Sequence, residues 1–165
     1  MKAGIALGSN VGDRLANLRR ARQALTTLAN GGAGTGSSIW ETEAVDCEPN
    51  ASPFYNAIVE IEYSGSAPEL LRELRSIEAQ LGRPANHARN VSRTIDLDLL
   101  YFGDERLDTP ELRLPHPHMH ERRFVLEPLA EIRPEFVLPN QTATVSELLA
   151  QLPDSPRVVR AREQW

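Results

Sequence analysis

Several things are scarce in this sequence, and each scarcity excludes something. Cysteine occurs once, at Cys47, which rules out an intrachain disulfide and any zinc site built from cysteines. No apolar run approaches the ~18 residues of a membrane-spanning helix, and the opening MKAGIALGSN lacks a signal-peptide hydrophobic region of ordinary length. A cytoplasmic protein with no membrane partner is therefore expected. Positive charge is in deficit: 18 basic against 23 acidic side chains leave a net charge of −5, which argues against generic nucleic-acid binding. Lysine also occurs once, at Lys2, so every other basic side chain is an arginine. What remains is ordinary for a globular chain of 165 residues, 41% hydrophobic and 25% charged, and one domain spanning 1–165 with a real core is expected.

Against that ordinary background one segment stands out. RTIDLDLLYFG, from Arg93 to Gly103, is rich in Ile, Leu and Tyr yet carries Asp96 and Asp98 in its middle. On a strand, Ile95, Leu97, Leu99 and Tyr101 fall on one face, and Thr94, Asp96 and Asp98 on the other. The two carboxylates then point the same way with Cα atoms roughly 6.5–7 Å apart. Like charges that close repel unless something positive lies between them. Either the polar face is wet, or a cation belongs there; magnesium, which takes oxygen ligands, suits such a pair. Arg83, Arg89, Arg93, Arg106, Arg113, Arg122 and Arg123 surround the two aspartates in sequence, and arginine matches phosphate oxygens bidentately. A cation together with arginines points towards a polyphosphate.

The rest of the chain reads as alternating elements. A buried strand from Lys2 to Leu7 ends at Gly8-Ser9-Asn10, and a helix behind Asp13 carries Leu15, Leu18, Leu25 and Leu28 to about Ala29. Arg14, Arg19, Arg20 and Arg22 are expected on its solvated face. GGAGTGSS, from Gly31 to Ser38, lacks the Gly-Lys-Ser/Thr ending of a phosphate loop and follows a helix, so it reads as a helix stop and connector. Ser38 to Thr42 is a second strand. A third runs from Phe54 to Tyr63, with Ala57, Val59, Ile61 and Tyr63 opposite Asn56, Glu60 and Glu62. Ser66 and Glu69 form a capping box for a helix with Leu70, Leu71, Leu74, Ile77 and Leu81 on its apolar stripe, ended by Gly82. The order β-α-β-β-α-β predicts an α+β, ferredoxin-like core: an antiparallel sheet with helices on one face. Helices at 124–132 and 145–152 are expected as C-terminal helical additions that partly cover the other face.

Two further patterns carry possible chemistry. His116, His118 and His120 alternate in LPHPHMH, but Pro115 and Pro117 interrupt regular pairing, so one histidine on a phosphate is favoured over a three-histidine metal site. Phe54, Asn56 and Phe124 could together form a slot for a flat heterocycle, with rings above and below and an amide at its edge.

Five blocks, IALGSN with Gly12 after it, FYNAIVEIE, IEAQLGR, RTIDLDLLYFG and LPHPHMHERRFVLEPLAEI, lie in the order and spacing that resemble the 6-hydroxymethyl-7,8-dihydropterin pyrophosphokinases of folate biosynthesis. The resemblance implies a monomeric enzyme that moves the β,γ-pyrophosphoryl group of ATP to the pterin hydroxymethyl oxygen and releases AMP. It implies that Asp96 and Asp98 hold two magnesium ions, and that Arg83, Arg93, His116 and Arg122 contact phosphates. It implies that Phe54 and Phe124 sandwich the pterin, that Asn56, Thr42 and main chain near Val45 bond its edge, and that Glu78 lies near the nucleotide. Departures fall just before the aspartates: the sequence Arg89-Asn90-Val91-Ser92-Arg93 replaces the usual tryptophan, glycine and proline, and Pro84 and Ala85 stand where basic residues are common. A paralogue acting on another alcohol and a non-catalytic binding module on the same core are the alternatives.

Overall fold

Ala3, Ile5 and Leu7 alternate with Gly4, Ala6 and Gly8, and this pattern makes the first strand, β1 (Lys2–Ser9), of a computed structural model that describes residues 1–29, 32, 34–44, 51–82 and 92–165. Asp13 then caps α1 (Arg14–Leu28) by accepting the Ala16 N–H at 3.0 Å. Two short strands follow, β2 (Thr35–Gly36) and β3 (Ile39–Thr42), then the long β4 (Phe54–Glu62). The Ser66 capping box opens α2 (Ala67–Gln80), and Gly82, at φ 90°, takes the chain out of it. Next come β5 (Asp96–Phe102), the small hairpin β6 (Leu107–Asp108) and β7 (Arg113–Leu114), α3 (Arg123–Ile132), α4 (Val145–Gln151) and β8 (Val158–Arg162).

The main sheet has the order β5-β1-β4-β3-β8, with β2 also on β4, and its pairs are antiparallel. Without β8 and β2 this is the ferredoxin-like order, as expected for β-α-β-β-α-β. Leu18, Leu25, Leu70 and Leu74, all fully buried, join Ile5, Leu7, Val59, Ile61, Leu97 and Leu99 in the core beneath α1 and α2. Each such side chain contributes about 1.5–3 kcal/mol by leaving water. On the opposite face, α3 and α4 bury Val125, Leu126, Leu129, Val145 and Leu148 against Ile58, Leu100 and Tyr101. Those two helices cover only part of that face, and the uncovered part is where Asp96 and Asp98 point.

Three expectations need correction. Tyr101 does not share a face with Leu97 and Leu99: the register of β5 on β1 slips between Gly4 and Ile5, leaving Leu100 as an extra residue, and both Leu100 and Tyr101 then face α3 and α4. The Tyr101 hydroxyl donates to Glu60 at 2.7 Å, and Arg133 and Lys2 reach the same buried carboxylate at 3.2 Å. Arg14 and Arg22 are only partly exposed and find partners within the fold. Arg14 donates to Glu41 and to the Pro53 carbonyl and lies 3.8 Å from the Tyr55 ring centroid, while Arg22 donates to the Trp165 carbonyl. The C-terminal additions also include a strand, since β8 extends the sheet beyond β3 and Trp165 Nε1 donates to the Ser37 carbonyl at 2.7 Å. A tryptophan and an arginine at opposite ends of the chain thereby close over the β2–β3 connection.

Candidate active site

Sheet register brings the candidate residues together. Gly8 on β1 pairs with Asn56 of β4 on one side and Asp96 of β5 on the other, and Ala6 pairs likewise with Ile58 and Asp98. Two adjacent strand spacings put the Asn56 and Asp96 backbones roughly 10 Å apart with only a glycine between them. A small, partly open cleft with a cavity volume of about 40 Å³ lies over this rung, lined by Ala6, Gly8, Asn56, Asp96, Asp98, Leu100, His116, Arg122 and Phe124. The floor is made of the smallest side chains on β1. A Cβ added to Gly8 would lie 3.3 Å from Asn56 Oδ1 and 3.8 Å from the Phe54 ring, so the amide oxygen and the ring both border the floor.

At the apolar end, Thr42 and Asn56 are buried and joined, with Asn56 Nδ2 donating to Thr42 Oγ1 at 3.2 Å. That bond fixes the amide and leaves Oδ1 over Gly8 as an acceptor. Phe54 stands opposite Thr42 in the strand ladder, and Phe124 enters from the first turn of α3. At the charged end, Arg93 donates to Asp96 at 2.6 Å and its guanidinium lies 5.6 Å from the Phe54 ring centroid. Arg122 lies 5.7 Å from the Phe124 centroid. Each aromatic ring thus has an arginine beside it.

Of the three histidines, only His116 enters the cleft. Its backbone N–H donates to the Leu100 carbonyl at 2.8 Å, which ties the segment before α3 to the outer edge of β5. Burial, reinforced by the charges of Arg122 and His118, pushes its imidazole down to about 4. It is therefore neutral near pH 7. Nδ1 accepts the His118 N–H at 3.3 Å, so the proton resides on Nε2. His118 is exposed and paired with Glu121.

Glu78 comes from the other side of the sheet. Buried on α2, its carboxylate accepts the Leu97 N–H at 2.8 Å, at the residue between the two aspartates. Arg83 and Val45 lie outside the described residues, as do the departures at 84, 85 and 89–91. Sequence reasoning gave no site role to Gly8 or Ala6. Neither has a functional group, and only the register reveals them.

The donor set fits magnesium. Asp96 and Asp98 are hard oxygen donors on one strand face, and among the described residues no group of three or more His, Cys, Asp or Glu side chains gathers as a closed metal cage. One or two carboxylates completed by phosphate oxygens and water is the arrangement magnesium favours.

The model for the family described as 7,8-dihydro-6-hydroxymethylpterin-pyrophosphokinase matches residues 4–134. The 2-amino-4-hydroxy-6-hydroxymethyldihydropteridine pyrophosphokinase of Bacillus subtilis is 48% identical over 128 residues, covering 78% of this chain and 75% of that one. The Haemophilus influenzae protein of the same name is 39% identical over 151 residues, covering 91% and 92%. Among solved structures, the HPPK-DHPS of Plasmodium falciparum with pterin and p-hydroxybenzoate superposes with a TM-score of 0.69 at 16% identity. That match covers 90% of this chain but 42% of the longer protein, and it speaks for the fold alone. By sequence, with the fold in agreement, this chain belongs to the 7,8-dihydro-6-hydroxymethylpterin-pyrophosphokinase family.

Proposed function

We propose that the cleft over Gly8 is where this chain performs its family's reaction, transfer of pyrophosphate from ATP to 6-hydroxymethyl-7,8-dihydropterin in folate synthesis. One observation carries the assignment of residues: Asn56, Gly8 and Asp96 share one rung of the sheet, so an edge-reading amide and a metal-reading carboxylate face the same floor. The pterin lies between Phe54 and Phe124, with Asn56, Thr42 and main chain near Val45 at its edge. Its hydroxymethyl group is thereby directed towards Asp96 and Asp98. Those two carboxylates hold two magnesium ions, which supply charge neutralisation for the triphosphate and polarise the phosphoryl oxygens.

The remaining side chains bind and align. Arg93, Arg122 and Arg83 contact phosphate oxygens, where charge spreads as the bond to the leaving AMP loosens. His116, neutral with its proton on Nε2, donates to a phosphate without adding charge. The pterin hydroxymethyl oxygen bonds to the β-phosphorus and gives up its proton to solvent, the bond between the β-phosphorus and the α,β-bridging oxygen breaks, and AMP departs with that oxygen. No protein nucleophile takes part. Glu78 supports this end of the site through strand β5 and the nucleotide side of the cleft. The chain acts as a single-domain monomer in the cytoplasm, with small molecules as its ligands.

The test is AMP release from MgATP by the purified chain, with and without the pterin alcohol, alongside Asp98→Ala. Pterin-dependent AMP that falls by at least about 10³-fold in a folded Asp98→Ala is expected. AMP formed only with a different alcohol would refute the acceptor assignment, and near-parent turnover in Asp98→Ala would refute the metal assignment.

A further inference from the structure

Phe54 is the first residue of β4 and pairs with Thr42, the last residue of β3, so the strand ladder holds this end of the cleft from one side only. Strand alternation sends the neighbouring pair, Glu41 and Tyr55, to the opposite face, where Tyr55 packs against the core beneath α1 and α2. Arg14, the first residue of α1, grips that back face at three points. Its Nη1 donates to Glu41 Oε2 at 2.9 Å and to the Pro53 carbonyl at 2.7 Å, and its guanidinium lies 3.8 Å from the Tyr55 ring centroid. The Pro53 carbonyl belongs to the planar peptide that leads into Phe54, so the bond from Arg14 fixes the plane from which that residue departs. The base of the grip is itself anchored. Asp13 caps the helix, and Asn17, 7% exposed, donates to the Val11 carbonyl at 3.0 Å and to Ser9 Oγ at 3.3 Å. One side chain behind the cleft thus joins the start of α1 to the end of β3 and the entrance of β4.

We propose that Arg14 is a positioning residue for the flat ring: from the back of the sheet it sets the Pro53–Phe54 peptide against the end of β3, and so holds the Phe54 ring and the Thr42–Asn56 edge at the spacing the heterocycle needs. This rests on the pyrophosphokinase reading for the identity of that heterocycle. Arg14 touches no ligand, and Asp96, Asp98, His116 and Arg122 are carried by other segments. Contacts to the heterocycle are the same before and during phosphoryl transfer, so losing their alignment raises KM for the pterin and leaves kcat unchanged. Support of the fold alone has the opposite signature, since a smaller folded fraction lowers kcat and leaves KM where it was.

Arg14→Met tests this with little risk to folding. It keeps an unbranched stem over Tyr55 and a good helix former, and it leaves the Glu41 carboxylate, 40% exposed, and the exposed Pro53 carbonyl to water. AMP release by the full chain is measured against the pterin alcohol at saturating MgATP, and against MgATP at saturating pterin. Arg14→Met should raise the pterin KM at least about fivefold, with kcat and the MgATP KM within about twofold of the parent. Calorimetric titration with the pterin, at a saturating non-hydrolysable ATP analogue and magnesium, should show its affinity weakened by the same factor. Arg14→Lys keeps a cationic donor at shorter reach and should raise the pterin KM only about two- to threefold. A pterin KM within about twofold of the parent in Arg14→Met, a loss confined to kcat, or an equal rise in the MgATP KM would overturn the proposal. If Arg14→Met does not fold, Arg14→Lys decides alone, and an unchanged pterin KM there overturns it. Pterin-dependent AMP release by the parent separates the two readings: its absence refutes the pyrophosphokinase reading and this inference with it, whereas its presence beside a parent-like KM in Arg14→Met refutes the positioning role alone.

Discussion

Glu78→Ala probes how strand β5 is held. β5 is the terminal strand of the sheet, and β1 leaves the Leu97 N–H unmade; the Glu78 carboxylate takes it at 2.8 Å from α2. Leu97 is 4% exposed and Glu78 9%, so water does not replace the lost acceptor freely. A hydrogen bond to a charged group contributes about 1.5–3 kcal/mol, and the stranded N–H adds a desolvation cost to its loss. Glu78→Ala should therefore destabilise the fold by about 2–3 kcal/mol, read as a shift of the urea midpoint at unchanged slope. Glu78→Gln keeps a carbonyl acceptor and should cost about 1 kcal/mol. Because Leu97 lies between Asp96 and Asp98, the same loss should reach catalysis, with kcat for AMP release falling about tenfold at saturating MgATP. Glu78→Ala within ~0.5 kcal/mol of the parent, or Glu78→Gln as costly as Glu78→Ala, would refute this account. A loss of ATP affinity at unchanged stability would instead make Glu78 a direct nucleotide contact.

Two further perturbations test the floor and the histidine. Gly8→Val adds two methyls to a Cβ already 3.3 Å from Asn56 Oδ1, so pterin affinity should drop at least about tenfold with ATP-analogue affinity within threefold; equal losses for both ligands would remove Gly8 from the heterocycle end. His116 sits at about 4 when folded, below its ordinary 6.5, so between those values the unfolded chain binds a proton that the fold excludes. Stability from this group is therefore complete above pH 6.5 and lost as pH falls towards 4, by about 2–3 kcal/mol. Denaturation midpoints across pH 4–7 should show that slope in the parent and lack it in His116→Gln; superimposable curves would count against the burial argument.

What could be read in the sequence depended on whether the signal was local. Asp13 and the Ser66/Glu69 box act within one turn, and both caps stand where their spacing put them. The alternation of β4 divides Ala57, Val59 and Ile61 from Asn56 and Glu60 as expected, because a paired strand without a bulge keeps its period of two. Tyr101 breaks the same rule three residues after Asp98, since one extra residue inverts every later side chain and no residue type announces it. Arg14, Arg22 and Trp165 were misread or unread for another reason. Their partners lie 27 to 143 positions away, and a helix arginine looks the same whether it meets water or Tyr55. Among the residues that line the cleft, Asp96, Asp98, Asn56 and Phe124 stand out in the sequence by chemical type, whereas Ala6 and Gly8 acquire meaning only from what the register sets beside them.

β1 shows why the cleft lies where it does. Its inner face carries Ala3, Ile5 and Leu7, which build the core with α1 and α2, while its outer face carries Gly4, Ala6 and Gly8. A side chain at Gly4 would run into the Tyr101 ring, so that glycine lets Tyr101 lie down over β1 and reach Glu60. Beyond it, α3 and α4 pack on Ile58, Leu100 and Tyr101, and the covered half of the face ends there. Over Ala6 and Gly8 nothing large rises from β1, so the flanking strands can present Asn56 and the two aspartates to one shared space. The bulge, which turns Tyr101 to join Leu100 beneath the helices, thus separates a filled half of the face from an open half. Strand β1 brings no reactive side chain to the cleft; its small residues leave open the space between Asn56 and the two aspartates.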